Sequence, residues 1–343
     1  MGTGIGAFLR RYMEYYNISG VDFADSLGIT PKHLSEIINK NIDISDELVL
    51  AISLVTDLDV SYIIKLENSK KMVRYLKNKF KSEANIKKYL EEFYFNELIK
   101  NKWIIPSHKE NIYSNAIDLL KFFRIRDFEV LEDKKKNVLY KKNDKADENK
   151  VLLWIAKCDS IARNQSPSDF NMSNINNILT FLKTERMKKL NIDNMINYFN
   201  SKGLYLVICN ALKGTKIRGC SKVKRDKPAI YMTTLYKDKA SFYYALYHEI
   251  GHIKKHYSKA KSKYIIDGEG NLEKEADLFA LDNMIPPNIW KYIENSNNKE
   301  EISLKLSKEN NIPMCFIVSR LAKENYISYS SKFYNKYIEK LEN

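Results

Sequence analysis

The apolar residues of the N-terminal region recur at helical spacing. Between Ile5 and Tyr16 they form one stripe: Phe8, Leu9, Tyr12, Met13 and Tyr16. Asp22 and Thr30 indicate helix starts, the latter because a proline follows it at the first helical position. Gly28 can end the intervening helix in a sharp turn. The pattern predicts several short helices packed around an apolar core.

The helix predicted over residues 32–40 has two different faces. Its inward residues are apolar: Leu34, Ile37 and Ile38. Its outward residues are polar: Lys32, His33, Ser35, Glu36 and Asn39. In helix-turn-helix proteins the outward face enters the major groove, so the candidate DNA contacts are Lys32, His33, Ser35 and Asn39. The alternative is a helical bundle that serves dimerisation or docks a partner protein.

Helical spacing continues through the middle of the chain without a chemical motif. Residues 70–128 include an aromatic stripe typical of a core or an interface, and Trp103-Ile-Ile-Pro106 is predicted to end a helix. Residues 132–150 are densely charged and almost without apolar side chains, which predicts an exposed linker. A phosphate-binding role for this segment is the alternative. Helical patterns resume over residues 151–163 and 174–200.

Two short apolar runs interrupt the helical pattern of the C-terminal region. Leu204–Cys209 and Ala229–Met232 are rich in β-branched and aromatic residues and predict strands of a small sheet, with Gly214 and Gly219 breaking the chain between them. Residues 302–326 predict two further helices. The predicted fold class is therefore mainly α (α+β), with a small β-sheet near the C-terminus.

Composition narrows the class of protein. The chain has 343 residues, 44% of them hydrophobic, which predicts an ordered protein of two or three domains. The four cysteines form no C-x-x-C pair, so neither a cysteine zinc site nor a disulfide scaffold is indicated. The longest apolar stretch, residues 48–55, is too short to cross a bilayer. We expect a cytoplasmic protein in reduced surroundings, with no membrane partner.

The net charge of +14 is unevenly distributed. Residues 1–70 hold six basic against ten acidic side chains, a balance of −4, so the positive excess lies in residues 71–343. DNA-binding surfaces are usually basic because they contact phosphates. If residues 1–70 bind an operator, we expect binding to depend on dimerisation, on the basic remainder of the chain or on a partner protein.

The chemistry of the chain is concentrated in the segment His248-Glu-Ile-Gly-His252. Two histidines four residues apart lie on one helix face, about 6 Å apart along the axis, and can bind one metal ion. Glu249 is rotated off that line, which suits a carboxylate that acts on a water molecule. His256 lies about 12 Å along the helix from His248, too far to share the ion. It is predicted to lie at the helix surface or to support a ligand.

A third metal ligand is predicted in the acidic segment 271–280. Glu273 and Asp277 are four residues apart and share a helix face, whereas Glu275 points to roughly the opposite side. We assign Glu273 as the third ligand and Asp277 as the acceptor for the second N–H of a ligating histidine. Three protein ligands and one open position are typical of catalytic zinc, so the predicted cofactor is Zn²⁺. The alternative is a charged amphipathic helix with incidental histidines.

Several C-terminal segments carry a family resemblance. In order, they are Leu204–Cys209, Ile217–Cys220, Pro228–Tyr231, the H-E-I-G-H helix, E-x-x-A-D with Phe279-Ala280, Met284-Ile-Pro286 and a closing helical pair that ends at Ala322. The region from about 203 to 327 resembles the ImmA/IrrE family of metallo-endopeptidase-like proteins, gluzincins associated with mobile elements and stress regulators. The resemblance implies zinc bound by His248, His252 and Glu273, with Glu249 as the catalytic base. It also implies that a repressor or an antitoxin is the substrate, which the small sheet would hold by edge pairing.

The N-terminal region has a resemblance of its own. Phe23–Asn39, followed by Ile44–Leu48, resembles the lambda-repressor type of helix-turn-helix found in HigA-like antitoxins. From the N-terminus, the predicted domains are a five-helix helix-turn-helix domain (1–68), a helical connector (69–131), a charged linker (132–150), the helical part of the C-terminal domain (151–200) and a metallopeptidase core (201–343).

These patterns predict a zinc-dependent endopeptidase-like regulator of stress, phage or toxin–antitoxin systems. Its expected partners are a repressor-like or antitoxin-like substrate, operator DNA, a cognate toxin and a second copy of the chain in a homodimer. One alternative is a transcriptional repressor or antitoxin whose metal domain is a sensor or scaffold. Another is an effector of phage defence or of a toxin–antitoxin pair.

Overall fold

The chain divides into two compact units, Met1–Arg124 and Ile125–Asn343. A computed structural model describes residues 4–40, 42–80, 82–107, 111–136, 138–139, 147–262, 264–266 and 270–341. Over these residues the protein is mainly helical, with one small mixed sheet in the second unit, as the fold class predicts. No helix of the described residues combines the length and the apolar character that a membrane span requires.

The first unit begins with five helices. They are α1 (Gly6–Tyr16), α2 (Gly20–Ser26), α3 (Pro31–Lys40), α4 (Asp46–Thr56) and α5 (Val60–Phe80). The predicted helices over 5–16 and 32–40 are confirmed. Helix α2 begins earlier than predicted, because Ser19 caps it by accepting the N–H of Asp22, which lies in the first turn. Gly28 forms the α2–α3 turn at φ +68°, which favours glycine.

Apolar side chains of these helices form one buried cluster. It comprises Ile5, Leu9, Phe23, Ala24, Leu27, Leu34, Ile37, Leu48, Val49, Ile52 and Ile63. The cluster includes Leu34 and Ile37 from the predicted inner face of α3, and Ile38 packs against it partly buried. The opposite, polar face of α3 is thereby directed away from the core.

The predicted domain boundary between residues 68 and 69 falls inside α5. The helix continues to Phe80, and side chains beyond the boundary bind the loop between α3 and α4. The buried ammonium of Lys70 donates to the carbonyl of Ile42 at 2.9 Å and lies 3.3 Å from Asp43. Arg74 donates twice to the same aspartate, at 3.1 Å each. These contacts join the second half of α5 to the loop between α3 and α4.

Three further helices complete the described part of the first unit. They are α6 (Glu83–Glu92), α7 (Phe95–Lys100) and α8 (Ile112–Phe123). The rings of Phe93 and Phe123 pack edge to face at 5.3 Å, so aromatic side chains do form part of a core here. Helix α7 ends at Lys100, a few residues before the segment that was predicted to stop it.

The helices of the second unit surround a small sheet. They are α9 (Glu129–Lys136), α10 (Glu148–Ala162), α11 (Asn174–Glu185), α12 (Ile192–Ser201), α13 (Lys239–Ser262), α14 (Asn271–Met284), α15 (Pro287–Asn295), α16 (Lys299–Asn310), α17 (Met314–Lys323) and α18 (Lys332–Tyr337). The predicted linker 132–150 therefore includes the end of α9 and the start of α10. Residues 137 and 140–146 of this segment lie outside the described residues, and the phosphate-binding alternative for the segment stays a prediction.

The sheet has the strand order β1-β5-β3-β4-β2. The strands are β1 (Val138–Leu139), β2 (Tyr205–Ile208), β3 (Gly219–Lys224), β4 (Lys227–Met232) and β5 (Tyr264–Ile266). Strands β2 and β4 confirm the two predicted strands and pair in parallel. Strand β3 joins β4 in an antiparallel hairpin whose turn residues, Arg225 and Asp226, both have positive φ. The apolar pattern does not predict β3, because lysines interrupt it, and Gly219 begins this strand where it was predicted to break the chain.

Helix α13 is the central element of the second unit. Its apolar side chains Leu246, Ile250 and Ile253 are fully buried, in one cluster with Leu206 and Ile230 of the sheet. On another side, Gly251 brings α13 against α14, because a Cβ at this position would lie 3.0 Å from Phe279 and 3.3 Å from the Cα of Ala276. This close packing places the acidic first turns of α14 beside the histidines of α13.

Candidate metal centre

The ionisable residues of the H-E-I-G-H segment of α13 lie in the protein interior. His248, Glu249 and His252 are 7%, 2% and 1% exposed, because neighbouring elements cover most of the surface of this helix. Burial of ionisable groups is unfavourable unless hydrogen bonds or a metal ion compensate them. The contacts of these side chains therefore indicate whether the segment forms a metal site or is an amphipathic helix with incidental histidines.

Two histidines and one carboxylate converge at a single point. The Nε2 atoms of His248 and His252 are 2.9 Å apart, and Glu273 of α14 places its two oxygens 3.1 Å and 3.4 Å from them. Ligand atoms around a tetrahedral zinc ion lie about 3.3 Å from one another, given bonds of about 2.0–2.1 Å. The nitrogen–nitrogen and nitrogen–oxygen distances of 2.9, 3.1 and 3.4 Å are close to this spacing.

The hydrogen bond behind His248 determines which ring nitrogen faces Glu273. Its Nδ1 lies 3.0 Å from Oδ1 of Asp277, which as a carboxylate only accepts, so Nδ1 carries the proton. The Nε2 atom then directs a lone pair at Glu273, which also only accepts. Two acceptors at this distance require a metal cation or an additional proton between them. The residue types and their geometry therefore fit a divalent metal ion.

The charge of Glu273 supports the same conclusion. Burial raises the pKa of this carboxyl, but its interactions with the His248 and His252 rings outweigh burial and lower the pKa to about 2. Glu273 is thus anionic at neutral pH. A metal cation would compensate this buried negative charge.

Asp277 is held by more than its histidine partner. The hydroxyl of Tyr244 also donates to Oδ1 of Asp277, and the ammonium of Lys323 lies 3.9 Å from the centre of the Tyr244 ring. Burial raises the pKa of Asp277, but the hydrogen bonds from His248 and Tyr244 outweigh it and leave the pKa below its usual value. Tyr244 precedes His248 by four residues, about one helical turn, so the sequence itself contains the spacing that identifies this residue.

Glu249 makes its contacts with a different element, strand β3. Its carboxylate accepts a hydrogen bond from the hydroxyl of Ser221, which also lies 3.1 Å from the carbonyl oxygen of Glu249. Ser221 belongs to β3, the strand that the sequence pattern did not predict. Gly219 of the same strand lies so close to the other carboxylate oxygen that a Cβ at position 219 would collide with it. Strand β3 therefore fixes the position of Glu249.

His256 is buried, so of its two predicted positions, at the helix surface or behind a metal ligand, the first is wrong. Its Nδ1 lies 3.1 Å from Nδ1 of His252, and its Nε2 lies 3.2 Å from Oε2 of Glu275. Burial lowers the pKa of His256, an effect that its hydrogen bond with Glu275 partly offsets. Although Glu275 was predicted to point away from the ligands, it reaches this third histidine while its side chain is half exposed.

The candidate DNA contacts lie together on the outer face of α3. Lys32, Ser35 and Asn39 are exposed, and His33 is partly buried. Asn39 donates to the hydroxyl of Ser35 at 3.1 Å and accepts from Arg10 of α1 at 2.8 Å. Arg10 is thus a basic residue of this face that the sequence pattern did not identify, because α1 and α3 meet only in the tertiary structure.

The metal triad is distinct within the described residues. It is the one group of three histidine, cysteine or acidic side chains whose ligand atoms all lie within 4.8 Å of one another.

Comparison with models of protein families found none that matches this chain, and comparison with curated proteins found no relative. The geometry of the side chains therefore has to support any assignment of function.

The contact between Gly219 and Glu249 leads to a prediction. Gly219→Ala is expected to displace the Glu249 carboxylate and to slow any reaction that uses it by about tenfold or more, while metal binding persists. Steady-state kinetics and metal analysis would measure the two effects. Gly20→Ala is the matched control, because a Cβ at Gly20 meets nothing within 4 Å. Equal rates for Gly219→Ala and the unmodified chain would show that Glu249 needs no such placement.

Proposed function

We propose that this protein is a zinc-dependent endopeptidase-like regulator whose substrate is a repressor-like or antitoxin-like protein. The observation that carries the proposal is the convergence of His248, His252 and Glu273, with the adjacent Glu249 held in place by β3. Three protein ligands leave a fourth position open for a substrate or for water, as in catalytic zinc sites. A structural site would have a fourth protein ligand.

Different residues of this chain would have different roles in peptide hydrolysis. Zinc at such a site supplies Lewis acidity and lowers the pKa of water. Glu249 would accept a proton from the attacking water and pass it to the leaving amine. Ser221 would keep the Glu249 carboxylate in one orientation, and Asp277 would hold the ring of His248.

The proposed class of substrate comes from the resemblance to ImmA/IrrE proteins. The region over residues 23–48 resembles HigA-like antitoxins, and a fusion of these two modules is a recurring architecture of regulators. Such an architecture favours one specific protein partner over general proteolysis. We therefore propose a repressor or an antitoxin, in a stress, phage or toxin–antitoxin system, as the target.

The proposal can be tested with a natural partner. The full chain, loaded with zinc, would be incubated with the repressor or antitoxin encoded by a neighbouring gene, and the products would be identified by mass spectrometry. We expect one specific cut, which a zinc chelator abolishes and added zinc restores. An intact partner under all conditions, with zinc bound to the protein, would contradict the proposal and favour a sensor or scaffold.

A second candidate function is operator binding by the first unit. The observation that favours it is the exposed polar face of α3, to which Arg10 adds a positive charge through its hydrogen bond with Asn39. DNA contacts of this kind place the second helix of the motif in the major groove. The same face could equally contact a toxin, so the two partners have to be distinguished by measurement.

Binding to the upstream DNA should depend on salt concentration. Lys32→Ala in the full chain is expected to reduce the slope of log K against log salt by about one, because one phosphate contact is lost. Lys308→Ala, an exposed lysine in α16, controls for the change in net charge. An absence of sequence preference at every salt concentration would exclude operator recognition and favour docking of a partner protein.

A further inference from the structure

A third histidine connects the metal triad to a second carboxylate of α14. His252 contacts Glu273 on one side of its ring, and on the other side its Nδ1 lies 3.1 Å from Nδ1 of His256. The remaining nitrogen of His256, Nε2, lies 3.2 Å from Oε2 of Glu275. His256 is 7% exposed and His252 is 1% exposed. Glu275, His256 and His252 therefore form a hydrogen-bonded chain that ends at the ligand atom.

The donor and the acceptor of each of these hydrogen bonds can be assigned by starting from Glu275. A carboxylate only accepts, so Glu275 accepts from Nε2–H of His256. In neutral imidazole the other nitrogen is then an acceptor, and Nδ1 of His256 accepts from Nδ1–H of His252. The Nε2 atom of His252 is left with its lone pair, directed at the position that His248 and Glu273 also face. Only this tautomer of His252 can bind a metal through Nε2.

The backbone at His256 fits this arrangement. The helix α13 is interrupted there, with φ −123° and ψ 27°, and regular helical geometry does not extend through the residue. In the straight helix assumed from the sequence, His248 and His256 would lie about 12 Å apart along the axis. That spacing does not predict a contact between His256 and Glu275. At the interruption, His256 instead lies between the histidine one turn before it and the neighbouring helix.

We propose that His256 and Glu275 are positioning residues that fix the tautomer and ring orientation of His252 and thereby set the metal affinity of the site. The inference rests on the proposed function only in taking the triad as a metal site. Asp277 performs the same task for His248 directly, whereas Glu275 acts on His252 through an intervening imidazole. Partners of this kind typically contribute about 10- to 100-fold to metal affinity.

The full-length protein and a set of single variants would test this proposal. Zinc affinity would be measured by competition with a chromogenic chelator. We expect His256→Phe, which keeps a planar ring but removes both nitrogens, to weaken zinc binding by about 10- to 100-fold. Glu275→Leu should weaken it by at least about tenfold. Glu275→Gln should restore most of the affinity, because an amide oxygen still accepts from Nε2–H of His256.

Two controls separate positioning from packing. Asp282→Leu removes another carboxylate from α14 and should leave zinc affinity unchanged. Nitrogen-15 NMR of the zinc-loaded protein should show Nδ1–H on His252 and Nε2–H on His256, and Glu275→Leu should change the second assignment. If His256→Phe fails to fold, the two Glu275 variants still decide the question, because that side chain is half exposed.

The proposal would be overturned if zinc affinity were the same in Glu275→Leu, Glu275→Gln and the unmodified protein. It would also be overturned if His252 carried its proton on Nε2. Neither outcome depends on peptide hydrolysis. A chain that loses zinc affinity as expected but cleaves no partner would support the positioning role of His256 while contradicting the proposed peptidase function.

Discussion

Glu249→Gln is expected to lower the rate of partner cleavage by about 10²-fold or more while zinc stays bound. The change preserves the size of the side chain and its contact with Ser221, since the amide oxygen can accept from that hydroxyl. It removes the proton acceptor, because an amide is not a base at neutral pH. Single-turnover cleavage of the partner, measured beside zinc content, would separate loss of chemistry from loss of metal.

A matched control for this change is Glu185→Gln. Glu185 is also a buried glutamate of the second unit, but it contacts Lys188 and Asn194 and takes no part in the metal triad. Its replacement should leave cleavage within about twofold of the unmodified rate, since it removes no group that the reaction uses. Equal cleavage by Glu249→Gln and by the unmodified protein would exclude Glu249 as the base and would favour the sensor or scaffold.

Glu273→Ala is expected to abolish stoichiometric zinc binding. The unmodified chain should bind about one zinc ion, as a three-ligand site does. Alanine removes the anionic ligand and leaves two neutral imidazoles, whose Nε2 atoms are 2.9 Å apart, without the charge that compensates a divalent cation. His252→Ala should have the same effect. Elemental analysis of the purified proteins would measure the metal content.

A stability measurement provides an independent test of the same site. A ligand that binds only the folded protein stabilises it by RT ln(1 + [L]/Kd), about 2.7 kcal/mol at a hundredfold excess over Kd. Zinc should therefore raise the unfolding temperature of the unmodified protein and of the control Asp282→Ala, but not that of Glu273→Ala. Full zinc content in Glu273→Ala together with loss of zinc in Glu275→Ala would show that the third ligand was assigned to the wrong carboxylate.

Local sequence patterns determined most of the helices and the identity of the converging residues. The stripe from Ile5 to Tyr16 and the proline after Thr30 predict α1 and α3, because helix faces and helix starts depend on neighbours within about one turn. The same spacing argument placed His248 with His252, and Glu273 with Asp277, on shared faces. Packing of α14 against α13 then brings these two pairs together, as a metal site would require.

Contacts between distant segments decided the rest. The sequence does not reveal that β3 holds Glu249 through Ser221, because this strand has lysines in its pattern and exists through pairing with β4 and β5. Nor does periodicity predict the burial of His256, since the interruption of α13 and the packing of α14 place that ring. A pattern within one helix specifies which residues share a face. Only the tertiary structure specifies what that face meets.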